Sequence, residues 1–231
     1  MIPVYINNWN ILTWVKNMAA YLEKIPNIAI FIIDNNSTYR PLLDWYNTCG
    51  YNIIRLPTNK GARWGYFSIP KGQEHKNLFN SDYFVFTDAD LDISGCPTDL
   101  IEVLINGFEK HKPVKSGLSI EVNDIPKDTL TPDGTIVESD KWSKPLCDMF
   151  FEAHTDTTFA LYHKDSWQCD YHGIRSNRPY TSRHLPWYFT PQTQFTNEEI
   201  FMYTQRPITD RFHGGRWTNV IYKHMFSKKF L

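Results

Sequence analysis

The chain has 231 residues, 42% hydrophobic and 21% charged, which suits one folded α/β domain and excludes a disordered chain. Its 24 basic and 25 acidic residues leave a net charge of -1, without the basic excess of a general nucleic-acid binder. The four cysteines, Cys49, Cys96, Cys147 and Cys169, form no C-x-x-C pair, which argues against a zinc cluster and fits a reduced, cytoplasmic setting.

The opening "MIPVYINNWN" lacks a basic stretch followed by an apolar one, so it does not read as a signal peptide. "PVYI" (3–6) predicts a short buried strand. In 9–24 the apolar residues Ile11, Leu12, Val15, Met18, Ala19 and Leu22 recur at helical spacing, and Pro26 closes the element. "IAIFII" (28–33) is a continuous β-branched run, as expected of a parallel strand covered on both faces. It is also the longest apolar run, far below the roughly 20 residues that span a bilayer. A helix is expected over 39–50 and a third strand over 51–56. The stretch 57–80 reads as loop. "YFVFT" (83–87) is the fourth strand, 97–112 a helix with Pro97 near its start, and 114–122 a fifth strand. This alternation predicts a doubly wound α/β sheet.

The second half is less periodic. Residues 123–136 read as turns, 157–163 as a strand and 171–194 as an aromatic, proline-punctuated loop. Thr196 and Glu199 have capping-box spacing, which predicts a helix over 196–206. The tail 216–231 mixes Arg216, Lys223, Lys228 and Lys229 with Trp217, Val220, Ile221 and Phe226. It reads as a last core helix with a solvated face, or as a basic amphipathic helix in peripheral contact with a membrane.

The segment "DYFVFTDADLD" (82–92) carries the chemistry. A buried strand ends and three carboxylates follow at alternate positions: Asp88, Asp90 and Asp92. In open α/β sheets ligands bind beyond the carboxyl ends of the strands. An EF-hand is rejected, because its sixth and twelfth positions would be Ile93 and Asp99. A phosphatase with an aspartyl nucleophile, a solvated turn with Asp92 near a helix start, and a divalent cation holding a diphosphate all remain. A dinucleotide site fails for lack of glycine in the first strand–helix turn, "YINNWN". The phosphates then need a cation, and Mg2+ or Mn2+ on Asp88 and Asp90 supplies one.

Four strand-end motifs, "PVYINN", "FIIDNNS", "NKGAR" and "TDAD", resemble the nucleotide-sugar half of GT-A-fold glycosyltransferases, closest to glycosyltransferase family 2. The later "DTTFALYH" and "SRHLPWY" are similar to pieces of small bacterial and viral sugar transferases of that superfamily. The resemblance covers about residues 1–165 and implies one GT-A domain over 1–231, a Rossmann-like fold with a central, mostly parallel sheet flanked by helices. Residues 1–122 would hold the nucleotide-sugar and 123–231 the acceptor.

The resemblance also implies roles. Val4 and Ile6 would line the nucleotide through their backbone, and Asp34 would bind the base or ribose, unless it is a turn-former in "DNNS". Asn59 and Arg63 would border the nucleotide, with Arg63 reaching a phosphate or forming a surface ion pair. Asp90 would bind the metal directly, and Asp88 would touch the ribose or the metal. His184 would be a third metal ligand, a phosphate contact or a structural residue. The family often places a catalytic base in a Glu-Asp pair, which this sequence lacks; Glu152, Asp156 and Glu198 are the candidates, with Asp156 preferred. In an inverting reaction Asp156 is the base; in a retaining one it orients the acceptor or sugar. Trp187 and Tyr188 would stack on an acceptor sugar or belong to the core. The expected function is transfer of a sugar from a nucleotide-sugar, with a UDP-sugar preferred, to a glycan, lipid-linked or protein acceptor. The alternatives are a sugar-nucleotide nucleotidyltransferase, which would carry a Gly-rich basic loop after the first strand, and an inactive sugar-nucleotide-binding module.

Overall fold

The computed structural model describes residues 1–61, 67–155, 158–165, 172–205 and 216–227. Arg63 and Asp156 lie outside these residues. The first half follows the expected alternation: β1 (Ile2–Asn8), α1 (Thr13–Leu22), β2 (Ile28–Asp34), α2 (Arg40–Tyr46) and β3 (Asn52–Arg55). Next come α3 (Gly72–Phe79), β4 (Tyr83–Asp88), β5 (Leu91–Asp92), α4 (Leu100–His111), β6 (Lys115–Gly117) and β7 (Ser119–Ile120). The second half holds α5 (Pro132–Ser139), β8 (Pro145–Cys147), β9 (Phe150–His154), β10 (Ala160–His163), β11 (His172–Ser176) and β12 (Thr181–His184). A short 3-10 turn (Leu185–Tyr188), α6 (Asn197–Gln205) and α7 (Arg216–Ser227) complete the described chain.

Among the described residues one nine-stranded sheet runs β3-β2-β1-β4-β10-β6-β11-β9-β8. The block β3-β2-β1-β4 is parallel. Beyond it β10 runs antiparallel to both β4 and β6, and β11 returns parallel to β6. A three-stranded sheet, β5-β12-β7, sits beside it.

The parallel strands are apolar on both faces because both are covered. Val4, Ile6, Ile32 and Val85 face one layer, packed with Val15, Met18 and Leu22 of α1 and Leu100 and Leu104 of α4. Tyr5, Ile33, Phe84 and Phe86 face the other, with Ile69 and Tyr162. A side chain at Gly107 of α4 would meet the Phe150 ring at 2.3 Å, so this helix lies close on the sheet only with glycine there.

Three departures from the expected elements have physical causes. The stretch 57–80 contains α3, whose only buried side chain is His75, so it has no apolar stripe to be seen. The expected strand 114–122 breaks at Leu118, and its halves β6 and β7 belong to different sheets. The Leu118 N–H bonds to the Phe159 carbonyl at 3.1 Å, one step past the Gly117–Ala160 pair of the β6–β10 ladder. Finally, the expected loop 171–194 contains β11, β12 and the 3-10 turn; these strands are short and find their partners far along the chain.

The capping box of α6 forms as expected. The Thr196 N–H donates to Glu199 Oε2 at 2.8 Å, and the Glu199 N–H returns to Thr196 Oγ1 at 3.3 Å. In α7, Ile221 and Met225 are buried. Among the described residues no helix is long and apolar enough to cross a membrane.

Candidate active site

The carboxyl ends of β1, β2 and β4 lie side by side, since Asn8 is in register with Asp34 and Asn7 with Asp88. The Ala89 N–H donates to the Asn7 carbonyl at 3.0 Å, carrying the β1–β4 ladder one step past the strand. Asn7 Nδ2 donates to Asp88 Oδ1 at 3.0 Å, which orients that carboxylate.

The turn after β4 is then tied down from the other half of the chain. β5 pairs antiparallel with β12, setting His184 opposite Leu91 and Arg183 opposite Asp92. The Leu185 N–H donates to the Asp90 carbonyl at 2.9 Å. This pairing brings His184 Nε2 to 3.2 Å from Asp90 Oδ2. The Trp187 ring stands edge-on to the imidazole, centroids 4.8 Å apart. Asp92 accepts the Ser94 N–H at 2.9 Å and stabilises its own turn.

Asp88, Asp90 and His184 offer carboxylate and imidazole donors, a set that suits Mn2+. Among the described residues no three His, Cys, Asp or Glu side chains converge into a complete metal cage. A metal that shares its shell with substrate phosphates needs only one or two protein carboxylates, so the residues present fit such an ion.

Register also places the approach to β10. Ala160 pairs with Phe86 in antiparallel sense, so Thr158 and Phe159 come in from beyond the carboxyl end of β4, where the Asp88–Asp90 turn lies. Asp156 is two residues upstream of Thr158 and outside the described residues.

Several expected roles move. Val4 and Ile6 are fully buried, and each is flanked by β2 on one side and β4 on the other. Asn7 and Asn8 follow them at the carboxyl end of the same strand. Asp34 is fully buried and its oxygens are used by the chain: Oδ1 accepts the Ser37 N–H at 3.1 Å and Oδ2 accepts Arg55 Nε at 3.2 Å. This is the turn-forming role. Burial and the Asp34 charge push the nearby Tyr46 phenol far up, so it stays a neutral donor or acceptor beside Asn8. Asn59 lies on the exposed loop after β3, where its Oδ1 accepts the Gly61 N–H at 2.8 Å.

Glu198 is not free to be a base. It is buried in α6, and its carboxylate accepts the N–H groups of Leu12 at 2.8 Å and Thr13 at 3.1 Å, capping α1 from outside. Glu152 is exposed on β9. Trp187 is buried against Gly134 of α5, where an added side chain would meet its indole nitrogen at 3.0 Å; it belongs to the core. Tyr188 is half-buried and donates to Asp124 Oδ1 at 2.5 Å, while Arg183 Nε holds Asp124 Oδ2 at 2.6 Å. Burial and these two bonds oppose each other at Asp124, and the bonds prevail, holding its carboxyl below the usual range. Asn7 and Asn10 lie inside "YINNWN" and Asp124 in a stretch read as turns, and no sequence signal singled them out. Asn10, at φ 56°, accepts the Thr38 and Tyr39 N–H groups at 2.6 and 3.0 Å.

The fold is α/β: a mixed sheet with a parallel block β3-β2-β1-β4, an antiparallel strand beyond β4 and the turn "DAD" at the end of β4. Comparison with solved structures finds likeness to a mannosyltransferase, PcManGT from Pyrobaculum calidifontis in complex with GDP-Man and Mn2+. The identity is 11% and the TM-score 0.45, over 70% of this chain and 44% of that one. S. aureus TarS, residues 1-349, matches at 12% identity and TM-score 0.38, over 71% of this chain and 47% of that one. TarS in complex with UDP matches at 13% identity and TM-score 0.40, with the same coverage. The chain thus spans less than half the length of these structures. No family model and no curated protein matches the sequence.

Proposed function

We propose that the chain is a metal-dependent glycosyltransferase that moves a sugar from a nucleotide-sugar, a UDP-sugar first among them, to a glycan, lipid-linked or protein acceptor. One observation carries the reading: Asp90 and His184 meet at 3.2 Å beyond the carboxyl end of β4, and Asp90 is two residues from Asp88. They are brought together across 94 residues by a dedicated strand pair, β5–β12. A solvated turn has no need of such a partner.

Asp90 and His184 would hold the cation, and Asp88, oriented by Asn7, would reach it or the ribose. The cation supplies Lewis-acid charge for the departing diphosphate. Asn59 and Arg63 border the nucleotide, and the guanidinium suits a phosphate. Asp34 holds the "DNNS" turn that faces this edge. In an inverting transfer Asp156 takes the proton from the acceptor hydroxyl.

A thermal-shift titration of UDP, with Mn2+ and with EDTA, tests the reading. A ligand at about 100 times its Kd adds about 2.7 kcal/mol of stability. That gain is expected with Mn2+, is expected to be much smaller with EDTA, and is expected to vanish in Asp90→Ala, which keeps the fold. Equal stabilisation with and without metal overturns it.

A further inference from the structure

His154 of β9 and His172 of β11 are both exposed and stand directly opposite each other in the antiparallel β9–β11 ladder. Their ring centroids are 5.0 Å apart and the rings are tilted by 43°, so neither lies flat on the other. Two imidazoles that share one metal ion have a narrow range of spacings. A metal–nitrogen bond of about 2.0–2.1 Å puts the ion about 3.2 Å from each ring centroid, so the centroids are about 4.5 Å apart at a right angle and about 5.2 Å apart at the tetrahedral angle. The observed spacing lies inside that range.

The backbone under the pair is held in place. The ladder continues from His172 and His154 to Ser176 and Phe150. The His154 carbonyl accepts Arg175 Nε at 2.9 Å, and Arg175 is itself buried against Glu138. A side chain at Gly173 would meet the Lys115 carbonyl at 2.8 Å and Lys115 Cγ at 3.2 Å, so β11 lies close on β6. Side chains alternate between faces along a strand, so Lys115 and Arg175 lie on the Gly173 face and the two imidazoles on the other. Ligands fixed in advance lose little freedom on binding. The pair is also remote from Asp90 and His184. Phe86 of β4 is level with Ala160, Gly117 and Arg175 across β10, β6 and β11. His172, three residues before Arg175, is therefore level with Tyr83 at the start of β4, whereas Asp88 ends that strand. Five residues at about 3.3 Å and three strand steps at about 4.8 Å put roughly 20 Å between the two places.

We propose that His154 and His172 form a metal site of their own, which takes a late divalent transition metal such as Zn2+ or Cu2+ and staples β9 to β11. The site is independent of the transferase reading. Imidazole suits these ions, whereas Mg2+ and Ca2+ prefer oxygen ligands. Among the described residues no third His, Cys, Asp or Glu converges on the pair, so water fills the open positions of the shell.

The test titrates Zn2+ alone by calorimetry into the full chain carrying Asp90→Ala, so that the turn after β4 does not compete, with Mg2+ in excess. One equivalent is expected to bind and to raise the melting temperature. The second bond of a chelate is intramolecular, so His154→Gln and His172→Gln are each expected to weaken binding about 100-fold and to remove the thermal shift. Both residues are exposed, so both variants are expected to melt like their parent when no metal is added. The double variant is expected to lose far less than the product of the single losses, since two ligands of one ion act as a unit. Added Cu2+, which is paramagnetic and broadens nearby signals, is expected to erase the ring resonances of these two histidines first. Binding that survives either substitution, losses that multiply in the double variant, or broadening that begins at other histidines means an adventitious ion only and overturns the site.

Discussion

Replacing Glu198 separates a cap from a catalyst. α1 has no capping side chain of its own and no acidic residue in its first turn. The Leu12 and Thr13 N–H groups depend on the Glu198 carboxylate, which is 6% exposed. A hydrogen bond to a charged group contributes about 1.5–3 kcal/mol, and a buried donor left unmade costs about 1–3 kcal/mol. An anion at a helix N-terminus adds about 0.3–1 kcal/mol. The contributions overlap, so Glu198→Ala is expected to lose about 3–4 kcal/mol. Glu198→Gln keeps an acceptor oxygen and is expected to lose about 1–2 kcal/mol. At about 2–4 °C per kcal/mol for a chain of this size, the alanine variant melts roughly 10 °C lower. Urea unfolding followed by far-UV circular dichroism gives the free energies, and turnover of the folded Gln variant is measured beside them. Turnover within a few-fold of wild type is expected. A loss below about 1 kcal/mol for Glu198→Ala, or a Gln variant that is stable but about 100-fold slower, would refute the capping role.

Asp156→Asn keeps the shape and removes the charge; a general base contributes about 100-fold or more to rate, so kcat is expected to fall that far with UDP affinity and melting temperature unchanged. Turnover near wild type would make Asp156 structural and move attention to Glu152 or a retaining mechanism. Burial and the neighbouring Lys71 hold His75 down to about 4, against an ordinary 6.5, so the unfolded chain takes up this proton at a higher pH than the folded one. Its contribution to stability is therefore complete above pH 6.5 and declines as pH falls from 6.5 towards 4. His75→Phe is expected to flatten that part of the stability profile, and an unchanged slope in urea titrations would count against it.

The parallel half was legible because its signals are local. A β-branched run marks β2, helical spacing marks α1, Pro97 marks the start of α4, and a Thr–Glu pair marks α6. The D-x-D turn was legible for the same reason: carboxylates at the mouth of an apolar strand need an explanation within a few residues. What stayed hidden depends on partners far along the chain. His184 could be named by residue type, but nothing near it announces a strand that pairs with Leu91 and Asp92. Arg175 and Glu138 look like surface charges in the sequence, and only the folded sheet buries them against each other.

The order of strands has a consequence for how the protein is made. β6 lies between β10 and β11, both encoded after residue 158, and the open side of β4 is closed by β10 alone. When the ribosome has finished the first 122 residues, β6 has no partner and β4 shows a bare, apolar edge of Phe84, Val85 and Phe86. Such an edge is a template for unwanted pairing with another chain. A fragment ending at residue 122 would leave both strands without the partners that the second half supplies.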